Sequence, residues 1–171
     1  KMQKSKDKKE SRAGGSTLVG NAGEYFVIAE LLKRGIIAAH TPRNAVAFDI
    51  LATNGKQTIK IRVKTKSSQY DHYQWNVKRD GTIFRMLDKK DDYVVLVNLK
   101  QGNERPDFHI VPTNLVDKWL KRDFDEFVNT PGARGQQRNP ENKGRHLEYH
   151  KYADILAKYQ DAWESIFLRG R

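Results

Sequence analysis

Two carboxylates and one ammonium stand out by type and setting. Glu24 falls in a stretch whose apolar residues repeat at helical spacing. Asp49 lies between Phe48 and Ile50 in an apolar run, and Lys64 follows on an alternating stretch beyond a turn signal at Asn54-Gly55. A carboxylate flanked by Phe and Ile is costly to bury unless it is paired or metal-bound. Two carboxylates with a lysine beside them form the set that metal-assisted phosphodiester hydrolysis requires. Spacing alone leaves a gap in this arrangement. Asp49 lies five residues before Asn54 and Lys64 nine after Gly55. A two-residue hairpin therefore leaves them offset, and curvature or a bulge must close the distance.

The elements that would carry these residues are legible from periodicity and turn chemistry. A helix is expected over about 18–34, capped by Ser16 or Thr17 and closed by Gly35. Its repeating apolar residues are Ala22, Phe26, Ala29 and Leu32. Val46–Ala52 reads as a strand and Asn54-Gly55 as a hairpin turn. In Gln57–Lys66, Ile59, Ile61 and Val63 alternate with Lys60, Arg62, Lys64 and Lys66, the pattern of a half-buried strand with a basic outer face. Tyr73–Val77 and Thr82–Met86 flank Asp80-Gly81, a second possible hairpin. Tyr93–Val97 is apolar on both faces, as a central strand requires. Asp107–Val111 is a further strand. Pro112-Thr113 starts a helix that turns Leu115, Val116, Trp119, Leu120 and Phe127 inward. Residues 129–146 read as an exposed basic loop. A last helix over about 148–168 aligns Tyr152, Ile155, Tyr159, Trp163 and Ile166. This order predicts an α/β sandwich, a mixed central β-sheet flanked by helices. The expected organisation is a basic flexible arm at 1–15 and a single domain over 16–171.

Composition narrows the partners. Among 171 residues, 32 Lys and Arg outweigh 21 Asp and Glu, a net charge of +11. Such an excess attracts polyanions, nucleic acid before anionic membranes. With no cysteine there is no disulfide framework, thiolate zinc site or cysteine nucleophile. No apolar run approaches the roughly 20 residues of a membrane span, and no signal-peptide core is seen. A cytoplasmic, membrane-free protein is expected. Gly20-x-x-Gly23 and Gly132-Ala133-Arg134-Gly135 fit neither a Walker loop nor a dinucleotide motif, so no nucleotide cofactor is expected.

Three runs carry a resemblance: Gly20-Asn21-Ala22-Gly23-Glu24, Phe48-Asp49-Ile50-Leu51-Ala52 and Ile61-Arg62-Val63-Lys64-Thr65. Over residues 20–66 the chain resembles the PD-(D/E)XK nuclease superfamily, in particular archaeal Holliday-junction resolvases and small restriction-type endonucleases. The resemblance implies a restriction-endonuclease-like fold, a Mg²⁺ cofactor (Mn²⁺ as substitute), DNA as partner and a homo-oligomer. It also implies roles. Asp49 would ligate the metal, Glu24 a second ion or a metal-bound water, and the Val63 carbonyl would be a further ligand. Lys64 would orient the attacking water or steady the phosphate. The implied function is a Mg²⁺-dependent DNA endonuclease of restriction or junction-resolving type. Arg62 departs from the family, which places Glu or Gln there. A guanidinium has no acceptor atom and cannot ligate Mg²⁺. A positive charge at 4 Å opposes the ion by roughly 4 kcal/mol at an effective dielectric of 20 unless it turns away. The alternative is therefore a catalytically weakened nuclease-fold DNA-binding module. A basic RNA-binding domain is a third reading.

Lys60, Lys66, Arg134, Arg138, Lys143 and Arg145 are the candidate nucleic-acid contacts. Tyr73, Trp75 and Phe84, interleaved with Lys78, Arg79 and Arg85, could stack bases or fill a sheet face. His146 and His150 could share a helix face, but Glu148 is misplaced for a zinc-protease motif.

Overall fold

The computed structural model describes residues 15–42, 47–87 and 92–168. The arm expected at 1–15 lies almost wholly outside them, as does Val46. Helix α1 (Gly15–Lys33) is followed by strands β1 (Ile37–His40), β2 (Ile50–Thr53), β3 (Thr58–Lys66), β4 (His72–Asn76), β5 (Asp92–Asn98) and β6 (Asp107–Pro112). Then come α2 (Thr113–Asn129), β7 (Gly144–Glu148), α3 (Tyr149–Ala157) and α4 (Ser165–Leu168). The central sheet runs β1-β2-β3-β5-β6, with β4 and β7 forming a separate two-stranded ribbon. Strands β3 and β5 pair in parallel; the other neighbours in the central sheet are antiparallel. This is the mixed α/β sandwich expected.

Strand β5 organises two cores. Tyr93, Val95 and Val97 point into one, with Val27 and Leu31 of α1, Ile59 and Ile61 of β3, and Trp163. Val94 and Leu96 point into the other, with Tyr73, Leu147, Trp119 and Tyr152. A run apolar on both faces is thus explained by burial on both faces.

Several expectations are corrected. The α1 residues that meet the sheet are Gly23, Val27 and Leu31, whereas Phe26, Ala29 and Leu32 are exposed. Ser16 and Thr17 lie inside the helix rather than capping it. Gly35, at φ 74°, does close it; the amides of Gly35 and Ile36 donate to the Leu32 and Leu31 carbonyls. Thr82–Met86 forms no strand; β4 pairs with β7 instead, 68 residues later at the Asn76–Gly144 pair. Strand β7 therefore takes residues 144–146 from the expected basic loop. Phe127, expected inward, is partly exposed. The last helix breaks after Ala157. There the Ile110 amide donates to the Tyr159 carbonyl and the Asp161 amide to the Phe108 carbonyl. Pairing with the free edge of β6 replaces continued helix.

Candidate active site

The Asn54-Gly55 turn fixes the register of the site. It is a four-residue connection rather than a two-residue hairpin, because Thr53 pairs with Thr58. The Asn54 side-chain oxygen accepts from the amides of Lys56 and Gln57, and Gly55 takes φ 84°. The longer turn slides β3 by two residues toward Asp49 and narrows its offset from Lys64 to two residues. Ile50 pairs with Ile61, and the Asp49 amide donates to the Ile61 carbonyl at 3.0 Å. Asp49 thereby stands opposite Arg62, with Lys64 the next residue on that face. On its other side Asp49 is pinned by Thr41: the Thr41 amide donates to the Asp49 carbonyl at 2.9 Å and the Thr41 hydroxyl to the Phe48 carbonyl at 2.6 Å.

The Asp49 carboxylate accepts the Val63 amide at 2.7 Å. Burial pushes its pKa above the ordinary carboxylate value, and the Val63 N–H, Arg62, Lys64 and His40 only partly offset this. Lys64 is the converse. Burial lowers its pKa, Asp49 opposes the fall and Lys78 adds to it. Its ammonium lies 5.5 Å from the Trp75 ring centre. A carboxylate pushed up and a lysine pushed down, side by side, are the shifts expected of groups arranged for chemistry.

Glu24 is held from α1 against the end of β1. Its carboxylate lies 3.2 Å from His40 Nε2, and the His40 ring packs edge-on against Tyr25 at 4.9 Å. His40 is also the group that links this side electrostatically to Asp49. Sequence reasoning missed it. The four-residue β1, Ile37-Ala38-Ala39-His40, is too short for alternation to show; the apolar run after the Gly35 cap was the available signal.

Arg62 is turned into the fold. It is only 6% exposed. Its guanidinium pairs with the buried Asp92 carboxylate, donates to the Arg85 carbonyl and lies 5.6 Å from the Phe84 ring centre. The Thr113 hydroxyl donates to the same Asp92 oxygen at 2.6 Å. The face of β3 expected to be solvent is thus covered from Arg62 onward. Lys66, a candidate DNA contact, is 7% exposed, its ammonium donating to the Tyr70 carbonyl and lying 5.0 Å from the Tyr149 ring centre. Arg138 and Arg145 lie over Phe127 and Phe124. Arg134 and Lys143 are exposed and Lys60 half-buried. Tyr73 and Phe84 are buried core. His146 stacks on His72 and His150 pairs with Asp71. Among the described residues, no three His, Asp or Glu side chains converge as a metal-binding group, and no helix is long and apolar enough to cross a membrane.

No protein-family model matches the sequence, and no curated protein does. Among solved structures, the chain is similar to a bacterial homing endonuclease at 18% identity and a TM-score of 0.49, over 90% of this chain and 92% of that one. It is also similar to the Holliday-junction resolvase Hjc of the archaeal hyperthermophile Archaeoglobus fulgidus, at 14% identity and a TM-score of 0.44, over 81% and 95% respectively.

Proposed function

We propose that this chain is a metal-dependent DNA endonuclease whose centre is built on Asp49 and Lys64, with Glu24 contributing from α1. The observation that carries this reading is the desolvated Asp49–Lys64 pair, opposite in charge and in pKa shift, at the end of β2 on a +11 protein. The donor set fits Mg²⁺, which takes one or two carboxylates and keeps several waters. Asp49 is a carboxylate that burial disfavours as an anion, so a cation beside it relieves a standing cost. When bound, the ion would supply an activated water and polarise the phosphate. The chain's own residues do the rest. Asp49 and Glu24 would hold the ion. A strand residue's N–H and C=O face the same edge, so the Val63 carbonyl faces the side from which Asp49 takes the Val63 amide, a position suited to a further ligand. Lys64 orients water or steadies the phosphate charge. Its lowered pKa lets it exchange a proton more readily than a surface lysine. The cysteine-free chain suits a reducing compartment, which we take to be the cytoplasm.

Arg62 supports a second reading, a DNA-binding module with weakened catalysis, because the buried pair with Asp92 leaves no acceptor at that position. One experiment separates the two. Labelled duplex, branched and single-stranded DNA are incubated with the protein in Mg²⁺, Mn²⁺ or EDTA, alongside Asp49→Ala. The nuclease reading expects cleavage that EDTA and Asp49→Ala abolish while DNA binding persists. Binding without cleavage in either metal leaves the second reading.

A further inference from the structure

Strands β4 and β7 form a ribbon separate from the central sheet. Its inward face carries Tyr73 and Leu147, both buried in the second core. Its outward face carries His72, Gln74 and Asn76 from β4 and His146 and Glu148 from β7, since the facing pairs His72–Glu148 and Gln74–His146 share a side. Gln74, Asn76, His146 and Glu148 are exposed and His72 is half-buried. No side chain in this set is apolar, so the face lacks the apolar centre that a protein interface uses. Amides and neutral imidazoles instead offer a donor and an acceptor each. His146 stacks on His72; burial and that neighbour hold its pKa below the ordinary value, which keeps it neutral at pH 7.

Charge marks one end of the ribbon. Lys78 and Arg79 follow β4 and Lys143 precedes β7, all exposed, and the Val77 amide donates to the Lys143 carbonyl at 2.9 Å, so the two basic ends lie together. At the far end Asp71 and Glu148 are both engaged by His150. The basic end adjoins the candidate centre: Lys78 is near enough to Lys64 to depress its pKa, and Trp75, on the inward face of β4, lies under the Lys64 ammonium. These features fit one occupant. The major groove of DNA admits a two-stranded ribbon, and Asn and Gln there bond adenine through two contacts at once. Side chains on one strand face recur about every 6.8 Å, two base-pair steps of about 3.4 Å. The groove is about 8.5 Å deep. Residues on the outward face therefore reach base edges while the flanking phosphates stand level with the inward face, where Lys64 is.

We propose that the outward face of the β4–β7 ribbon reads base sequence in the major groove of duplex DNA through Gln74, Asn76 and His146, with Lys78, Arg79 and Lys143 holding phosphates at its end. The inference rests on the DNA-binding part of the nuclease reading and not on hydrolysis. It makes the ribbon the element that sets where on a duplex the centre is delivered.

Selection of the full chain on a pool of random duplexes in EDTA tests it, followed by fluorescence anisotropy on the selected duplex and on a scrambled one. Wild type is compared with Gln74→Ala, Asn76→Ala, His146→Ala and Lys78→Ala. All four positions are exposed, so circular dichroism is expected to stay native. Wild type enriches a sequence and binds it at least about tenfold tighter than the scrambled duplex. Gln74→Ala, Asn76→Ala and His146→Ala each lose about 5- to 100-fold on the selected duplex, the worth of a base contact, and keep the scrambled affinity and the salt slope. Lys78→Ala weakens both duplexes alike and lowers the slope by about 0.9. A wild type that binds both duplexes equally overturns the inference and leaves the nuclease reading to the cleavage assay. A preference that survives all three ribbon substitutions places the reading surface elsewhere and overturns it too. Equal losses on both duplexes from the ribbon variants would show backbone contact in place of base reading. No binding to any duplex, or binding to RNA alone, overturns this inference and the DNA reading together.

Discussion

Asp49 bears a cost of burial that the proposed metal site would explain. Burial raises its pKa in the folded chain above the ordinary carboxylate value. The folded state then favours the protonated form. That contribution to stability is full below the unfolded pKa and is lost as pH rises through the folded one. At neutral pH the ionised carboxylate therefore strains the fold. Asp49→Asn keeps an oxygen to accept the Val63 amide and removes the charge. It should abolish cleavage and raise Tm at pH 7, and the difference in Tm should shrink as pH falls below the carboxylate range. A lower Tm at pH 7 would contradict this account of the site. Arg62 makes the opposite case, a charge committed to structure. Its pair with Asp92 is buried on both sides, so Arg62→Ala should cost about 3–5 kcal/mol in urea unfolding, by stranding the Asp92 carboxylate. Arg62→Ala with Asp92→Ala should cost well below the sum of the singles. Arg62→Glu would set two carboxylates together in the core and should unfold the domain.

The elements show which parts of the sequence carried their own structure. Strands β3, β5 and β6 and the start of α2 were legible, because alternation, two-faced apolarity and Pro-Thr initiation are local signals. Three elements were not. Strand β1 has four residues, β7 pairs with a strand 68 residues away at its nearest pair, and residues 159–161 leave a helical pattern to satisfy the edge of β6. Each is decided by a tertiary partner. The same division holds for the site. Asp49 and Lys64 were legible by type and context, but their approach depended on turn length, and His40 on a strand too short to read. The inward face of α1 was not legible, because the helix is apolar on both sides and periodicity alone does not say which side meets the sheet. Glycine decides that question. A Cβ on Gly23 would collide with the Thr65 side chain of β3, whereas one on Gly20 would meet nothing within 4 Å. Gly20→Ala should therefore stabilise by up to about 1 kcal/mol through helix propensity. Gly23→Ala should destabilise by about 1–3 kcal/mol through overpacking. Thermal unfolding of the two variants side by side checks the packing of α1; equal shifts of the same sign would refute it.

At the scale of the whole molecule, the proposed function makes charge the term that would govern binding to DNA, and burial sets which charges count. A net charge of +11 predicts binding dominated by counterion release, in which log K falls by about 0.9 per log unit of salt for each phosphate neutralised. A footprint of about six to ten phosphates would lose roughly 10³–10⁵ in affinity between about 50 and 200 mM salt. The basic side chains are not equivalent in this respect. Arg134 and Lys143 are exposed and accessible to a phosphate. Lys66 is inside, its ammonium committed to the Tyr70 carbonyl and the Tyr149 ring. Each removes one formal charge when changed to Ala, so net charge alone predicts three equal effects. The structure predicts a split. Arg134→Ala and Lys143→Ala should each lower the salt slope by about one phosphate's worth and leave Tm unchanged. Lys66→Ala should leave the slope unchanged and lower Tm, because it empties a packed, hydrogen-bonded position. Fluorescence anisotropy on one duplex across a salt series measures all three slopes. A reduced slope for Lys66→Ala, or unchanged slopes for both exposed residues, would place the DNA on a different face of the molecule.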